Sequence, residues 1–350
     1  MQRCFAYCYG QGEVGHFLLR FHLASETSSQ SSQIPSFPAQ PPEGPWNTIF
    51  VGPDGLRAGW SLLLYSAFLL MIQYALTIVV VLVGGFSRSL RSPQAVTLEE
   101  LISFASAYAA ALLMVRLEGR PAGLYGLPLR QAFGKSFWQG FVLGIGEVSL
   151  LVGLVAAFGG YSFGSLAIHG TGLLLWGTLW ATAFVLVGLS EEFSFRGYTQ
   201  YTLARGVGFW PAAVCLSLLF GAAHLRNPGE GLVGAADVVV TGLIWAFALR
   251  RTGNLWLAVG WHASFDFGET FLFSVPDSGF VFDHHLSNAA LHGPAWLTGG
   301  PVGPEGSVFS FVTLAMSALL IHFLFPAKQL RAGELLSAQA DSVDKLRGKS

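Results

Sequence analysis

"AGWSLLLYSAFLLMIQYALTIVVVLVGGF", residues 58–86, contains no Asp, Glu, Lys or Arg. A bilayer core about 30 Å thick is crossed by about 20 mostly apolar helical residues, and this run is long enough to do so. The same criterion applied outward gives seven more spans, at 98–115, 136–158, 171–190, 207–225, 231–249, 253–273 and 307–325. Glu99 and Glu100 shorten the apolar part of the second. The composition agrees: 52% of the 350 residues are hydrophobic and 11% charged, against about 25% charged in soluble domains, with a mean hydropathy of +0.53. The expected fold is all-α, a polytopic membrane protein with about eight transmembrane helices.

The flanks read differently. Residues 25–47, "SETSSQSSQIPSFPAQPPEGPWN", are rich in Ser, Gln and Pro and bury too little apolar surface to offset chain entropy. Residues 1–57 are therefore expected to be a weakly ordered extension, 58–326 the transmembrane domain and 327–350 a cytoplasmic tail. The first 24 residues are interrupted by Gly, Gln, Glu and Arg and lack the apolar centre of a signal peptide, so no cleavage is expected there. Cys4, Cys8 and Cys215 fit neither a disulfide framework nor paired zinc knuckles. A net charge of −1, with no basic run interleaved with aromatics, argues against a nucleic-acid partner.

Orientation follows from Lys and Arg in the short loops. With both termini on one side, that side holds Arg57, Arg116, Arg120, Arg130, Lys135, Arg196, Arg205, Arg250, Arg251, Lys328 and Arg331, and the other holds Arg88, Arg91 and Arg226. Eleven against three predicts that both termini are cytoplasmic. The loop 274–306, with Asp277, Asp283 and Glu305 but no Lys or Arg, then lies outside.

Charged groups inside a bilayer are costly and default to functional hypotheses. Here they cluster in three places: Glu191, Glu192 and Arg196 in "EEFSFR" (191–196), His224 in "FGAAH" (220–224), and His262 with Asp266 in "HASFD" (262–266). Residues four apart share a helix face, so Glu192 and Arg196 form an internal ion pair, and Glu191 is turned about 100° away. A carboxylate in a low-dielectric site is suited to take a proton from water and return it to a leaving amine. A glutamate base with two imidazoles and an Asp could hold one water, or a Zn²⁺ that carries it, with His224, His262 and Asp266 as the candidate ligands. The His-Glu-x-x-His helix motif is absent, and His284, His285 and His292 fall in the outer loop as expected surface.

The three motifs, in this order and each on a predicted helix, resemble the CAAX-protease and bacteriocin-processing family of intramembrane endopeptidases, whose series is Glu-Glu-x-x-x-Arg, Phe-x-x-x-His and His-x-x-x-Asn or Asp. The resemblance covers about residues 171–275. It implies that Glu191 with His224 activates the attacking water, that His262 and Asp266 stabilise the oxyanion or complete the site, and that Glu192, Arg196 and Phe220 support them. It further implies a glutamate- or metal-dependent hydrolase acting on a membrane-associated or lipidated protein or peptide within the bilayer. Asp266 stands where some family members have Asn, and a carboxylate there suits a metal ligand better than an oxyanion donor.

Each motif also has a structural reading. Glu192 with Arg196 fixes helices, Glu191 is a helix end reaching headgroups, and His224 and the His262–Asp266 pair are hydrogen-bond partners within the bundle. The hydrolytic reading is favoured because it explains all three together. Two rivals come from other classes: a proton-coupled transporter using Glu147, Glu191 and Asp237, and a non-catalytic immunity or scaffold protein that keeps the polar core. One geometric requirement stands out. Glu191 lies near the cytoplasmic end of the fourth span, whereas His224 is fifteen residues past Phe209, so they meet only if the fourth span runs deeper or residues 197–208 form an intervening interfacial segment.

Overall fold

In the computed structural model the opening apolar run is a single helix, α1, over Ala58–Leu82. The structure describes residues 49–52, 55–84, 89, 91–120 and 125–326. Most of the expected N-terminal extension, with Cys4 and Cys8, and the expected C-terminal tail lie outside these residues. Eight more helices of ten residues or more follow among the described residues: α2 (Pro93–Glu118), α3 (Lys135–Ala157), α4 (Thr171–Arg196), α5 (Tyr198–Val207), α6 (Phe209–His224), α7 (Leu232–Thr252), α8 (Trp256–Phe267) and α9 (Val308–Leu324). A π turn, Gly268–Leu272, prolongs α8. Among the described residues, sheet is confined to two antiparallel pairs, β1 (Val51–Gly52) with β2 (Gly55–Leu56) and β3 (Tyr161–Ser162) with β4 (Ala290–Leu291).

All eight expected spans contain a helix. Five segments are long and apolar enough to cross a membrane: α1, α2, α3, α4 with α5, and α7; α6 and α9 are apolar but shorter. The protein is an all-helical integral membrane protein. On α1 only Ser61 and Tyr65 are buried, while Leu63, Leu70, Met71 and Leu82 are exposed, as befits a helix apolar all round whose outer faces meet lipid. Local signals set the ends of α2: the Ser92 side chain accepts the Ala95 N–H at 3.3 Å, Pro93 opens the helix, and Gly119 closes it in the left-handed conformation at φ 63°.

The centre of the bundle is α8, packed between α3 and α4. Glycines bring α3 and α8 together backbone to backbone: a Cβ at Gly140 would lie 2.0 Å from the Leu257 carbonyl oxygen, one at Gly144 2.3 Å from that of Trp261, and one at Gly260 2.1 Å from that of Phe137. Small residues four apart allow such an approach inside a membrane. Two buried carboxyls hold the same core. Glu147 of α3 accepts the Trp261 indole N–H at 2.7 Å, and Asp237 of α7 accepts the Ser310 hydroxyl of α9 at 2.5 Å. Two of the three residues of the transport reading, Glu147 and Asp237, thus serve as bonds between helices.

The loops collect at two ends. At one end Leu255 N–H donates to Gly126 O at 2.7 Å, Asn254 donates to Gln131 at 2.9 Å, and Arg250 sits 5.0 Å from the Phe209 ring. At the other, residues 273–307 fold against the neighbouring loops: Ser89 donates to Asp283 at 2.6 Å, Trp180 donates to Asp283 O at 3.0 Å, and β3 pairs with β4. His284 and His292 are exposed, and the three outer histidines diverge to separate partners, His284 stacking on Trp176 at 3.5 Å, His285 meeting Phe282 O and His292 meeting Ser162. The charge count is corrected at Arg196, which is buried inside α4 rather than in a loop; Arg116, Arg205, Arg250 and Arg251 lie in the last turns of α2, α5 and α7, and Lys328 and Arg331 lie outside the described residues.

Candidate active site

α4 supplies the first carboxylates. Six residues beyond its expected end at 190 it carries Arg196, whose Nη1 lies 3.0 Å from Glu192 Oε1, with the two side chains 1% and 0% exposed. The helix continues because the charges that interrupt its apolar run neutralise each other across one turn. The guanidinium is enclosed by aromatic rings, 4.4 Å from the centre of Phe220, 5.6 Å from Trp245 and 5.8 Å from Phe195. Gly242 of α7 makes the space, since a Cβ there would stand 2.4 Å from Arg196 Nη2. Glu191 points elsewhere and keeps 30% of its side chain exposed.

α8 supplies an imidazole surrounded by three carboxylates. His262 Nδ1 lies 3.3 Å from Glu192 Oε1, and Nε2 faces Asp266 Oδ2 at 3.4 Å and Glu191 Oε2 at 3.7 Å. Trp245 stacks on the ring at 4.4 Å. Glu192 therefore has a partner beyond Arg196: it orients His262 as well. Carboxylate oxygens thus face both ring nitrogens, through a hydrogen bond at Nδ1 and longer ion-pair contacts at Nε2.

His224 ends α6. Its Nδ1 lies 2.9 Å from Phe220 O, and because a carbonyl only accepts, Nδ1–H donates. Phe220 is the shelf between the motifs: its ring meets His224 edge-on at 4.7 Å and underlies Arg196. No hydrogen bond or ion pair joins His224 to Glu191, His262 or Asp266. The polar partner of Glu191 is His262.

The depth requirement is met by α5, which prolongs the path of α4. Tyr198 stacks on Tyr65 at 4.5 Å, and Gly206 abuts Ala58, so α5 runs antiparallel to α1 toward its first residue and prolongs α4. Ten residues of α5 rise about 15 Å, and the eleven steps from Phe209 to Phe220 return about 16 Å, which brings Phe220 back to the level of Arg196, where they touch. Four residues further on each helix, His224 and Glu192 fall level. Glu118 anchors the extension by accepting the Tyr198 hydroxyl at 3.0 Å and pairing with Arg205 at 3.4 Å.

Three residues of this neighbourhood were not picked out by the sequence reading. Glu100 of α2 lies within electrostatic reach of Ser190, Glu191 and His262; as an intramembrane carboxylate it carried the signal that should have singled it out. Trp245 and Gly242 carry no such signal, because their roles depend on α7 facing both Arg196 and His262. The expected zinc ligands do not converge: among the described residues, the group of three such side chains with all ligand atoms within 4.8 Å is Glu269, Asp277 and Glu305, not His224, His262 and Asp266.

Residues 172–268 match the family model described as Type II CAAX prenyl endopeptidase Rce1-like. The match agrees with the resemblance carried by the three motifs and contains all of them. Comparisons with curated proteins and with solved structures give no match.

Proposed function

We propose, with residues 172–268 placed in the CAAX prenyl endopeptidase family, that the protein hydrolyses a peptide bond of a lipidated or membrane-tethered protein inside the bilayer, using water activated by Glu191. The observation that carries this reading is the convergence of Glu191, Glu192, His262 and Asp266 from α4 and α8 around one imidazole, with Glu191 the most open of the three carboxylates.

In the reaction, Glu191 takes a proton from water while the water oxygen bonds to the scissile carbonyl carbon. His224 Nε2 accepts the second hydrogen of the same water and orients it. The carbonyl π electrons become an oxyanion, which the His262 imidazolium stabilises. Collapse of the tetrahedral centre breaks the C–N bond, and Glu191 returns its proton to the departing amine. Glu192 and Asp266 act through His262, by fixing its ring and charge. That assignment suits a carboxylate at position 266, which as an anion accepts rather than donates a hydrogen bond. The bias of Lys and Arg in the sequence toward one side of the spans supports cytoplasmic termini, with Glu191 acting nearer that face.

The test is cleavage of membrane proteins by wild-type, Glu191→Ala and His224→Ala protein at equal folded amounts. Loss of cleavage in both variants is expected; normal turnover in either overturns the mechanism. A chelator arm decides the part of Zn²⁺: retained cleavage leaves Glu191 to act without a metal, and loss restored by zinc assigns one.

A further inference from the structure

Three carboxylates unused by the hydrolytic reading meet where α8 gives way to the outer loop. Glu269 lies in the π turn, 0% exposed, and neither of its carboxylate oxygens has a hydrogen-bond partner. Asp277 and Glu305 reach it from the loop, 7% and 8% exposed, and ligand oxygens of all three lie within 4.8 Å of one another. Thr270 donates to Asp277 Oδ2 at 2.9 Å, and the Ser278 N–H donates to Glu305 Oε1. Residues 274–306 contain no Lys or Arg, and no salt bridge reaches any of the three. Buried carboxylates without a counter-charge need compensation.

We infer that Glu269, Asp277 and Glu305 bind one Ca²⁺ and so tie the outer end of α8 to the loop that follows it. All the donors are hard oxygens, which suits calcium and not zinc. Ligand oxygens that all lie within 4.8 Å of one another can share one cation with Ca–O distances of about 2.4 Å, whereas Mg²⁺, which keeps several of its waters, is less suited to a site made of protein side chains. The cage is fixed by the backbone: Val275 N–H donates to Glu269 O at 3.0 Å, Gly279 N–H to Val302 O at 2.8 Å, and Gly303, at φ 115°, would set a Cβ 2.1 Å from Pro276 O. A π turn is also a recurrent way of building a functional site into a helix. Burial pushes the Asp277 carboxyl up to about 7, and burial together with the neighbouring Asp277 raises Glu305 well above the usual carboxylate range. Glu269 lies just past the segment that matches the endopeptidase family.

The experiment uses purified full-length protein in detergent, stripped with EGTA, with CaCl₂ binding read by equilibrium dialysis and unfolding read by thermal melting. Wild type is expected to bind one calcium per chain and to melt at least about 3 °C higher in saturating CaCl₂, with a smaller shift in MgCl₂. Glu269→Gln and Glu305→Gln should each lose both effects, and Glu191→Gln should keep them. Absence of saturable calcium binding by wild type overturns the proposal and leaves the carboxyls sharing protons. Binding retained in either loop-end variant, or lost in Glu191→Gln, also overturns it. Should Glu269→Gln fail to fold, the wild-type stoichiometry together with Glu305→Gln decides.

Discussion

At the scale of single residues, two adjacent glutamates have opposite surroundings. Glu192 is sealed between Arg196 and His262, while Glu191 faces His262 and an opening. Glu191→Gln should lower cleavage by about 10² or more with an unchanged melting temperature, read by turnover and thermal melting on the same preparation. Glu192→Ala should instead destabilise the fold by about 3–5 kcal/mol, because it strands the buried Arg196 guanidinium and removes the anchor of His262. A fully stable but inactive Glu192→Ala protein would show that Glu192 acts on the substrate directly. The division between the two glutamates was legible in the sequence, because a four-residue spacing on a helix is a local property. The partners of His262 on α4 were not, since they depend on how α8 docks against α4, and neither was the aromatic enclosure of Arg196 contributed by α7.

At the scale of elements, glycine placement decides which helices touch. Gly140 and Gly144 lie against α8 backbone, whereas Gly146 on the same helix has nothing near it. Gly144→Val should therefore abolish recovery of folded, monodisperse protein, and Gly146→Ala should be neutral or slightly stabilising; chromatography in detergent compares them. Equal behaviour of the two would contradict the α3–α8 contact. Helix existence was legible throughout, since eight apolar runs became eight helices. The end of α4 was not, because counting apolar residues stops at the first charge and takes no account of the charges pairing. Residues 198–207 gave no apolar run to count, so α5 is visible only through its packing against Tyr65 and Ala58.

At the scale of the whole molecule, the chain places polar chemistry at two depths along α8, at His262 with Asp266 and at Glu269. The outer cluster makes stability depend on pH. Asp277 titrates at about 7 in the folded protein and at about 3.9 unfolded, so between these values the folded state holds the extra proton and stability falls as pH rises. Melting in EGTA should accordingly drop from pH 5 to pH 7.5, and CaCl₂ should remove most of that drop because calcium replaces the protons. A melting temperature that rises over this range in EGTA would contradict the placement of Asp277 among buried carboxylates. The alternation of loops between two ends was legible from the eight apolar runs, each of which contains a helix. The convergence of Glu269, Asp277 and Glu305 was not, since it joins a helix end to two points of a loop that lacks periodicity.

The most direct test of the hydrolytic account is to profile newly formed protein N-termini in membranes from cells expressing wild-type or Glu191→Ala protein at matched levels. A set of membrane-protein termini present with wild type and absent with Glu191→Ala is predicted; identical sets from the two would contradict it.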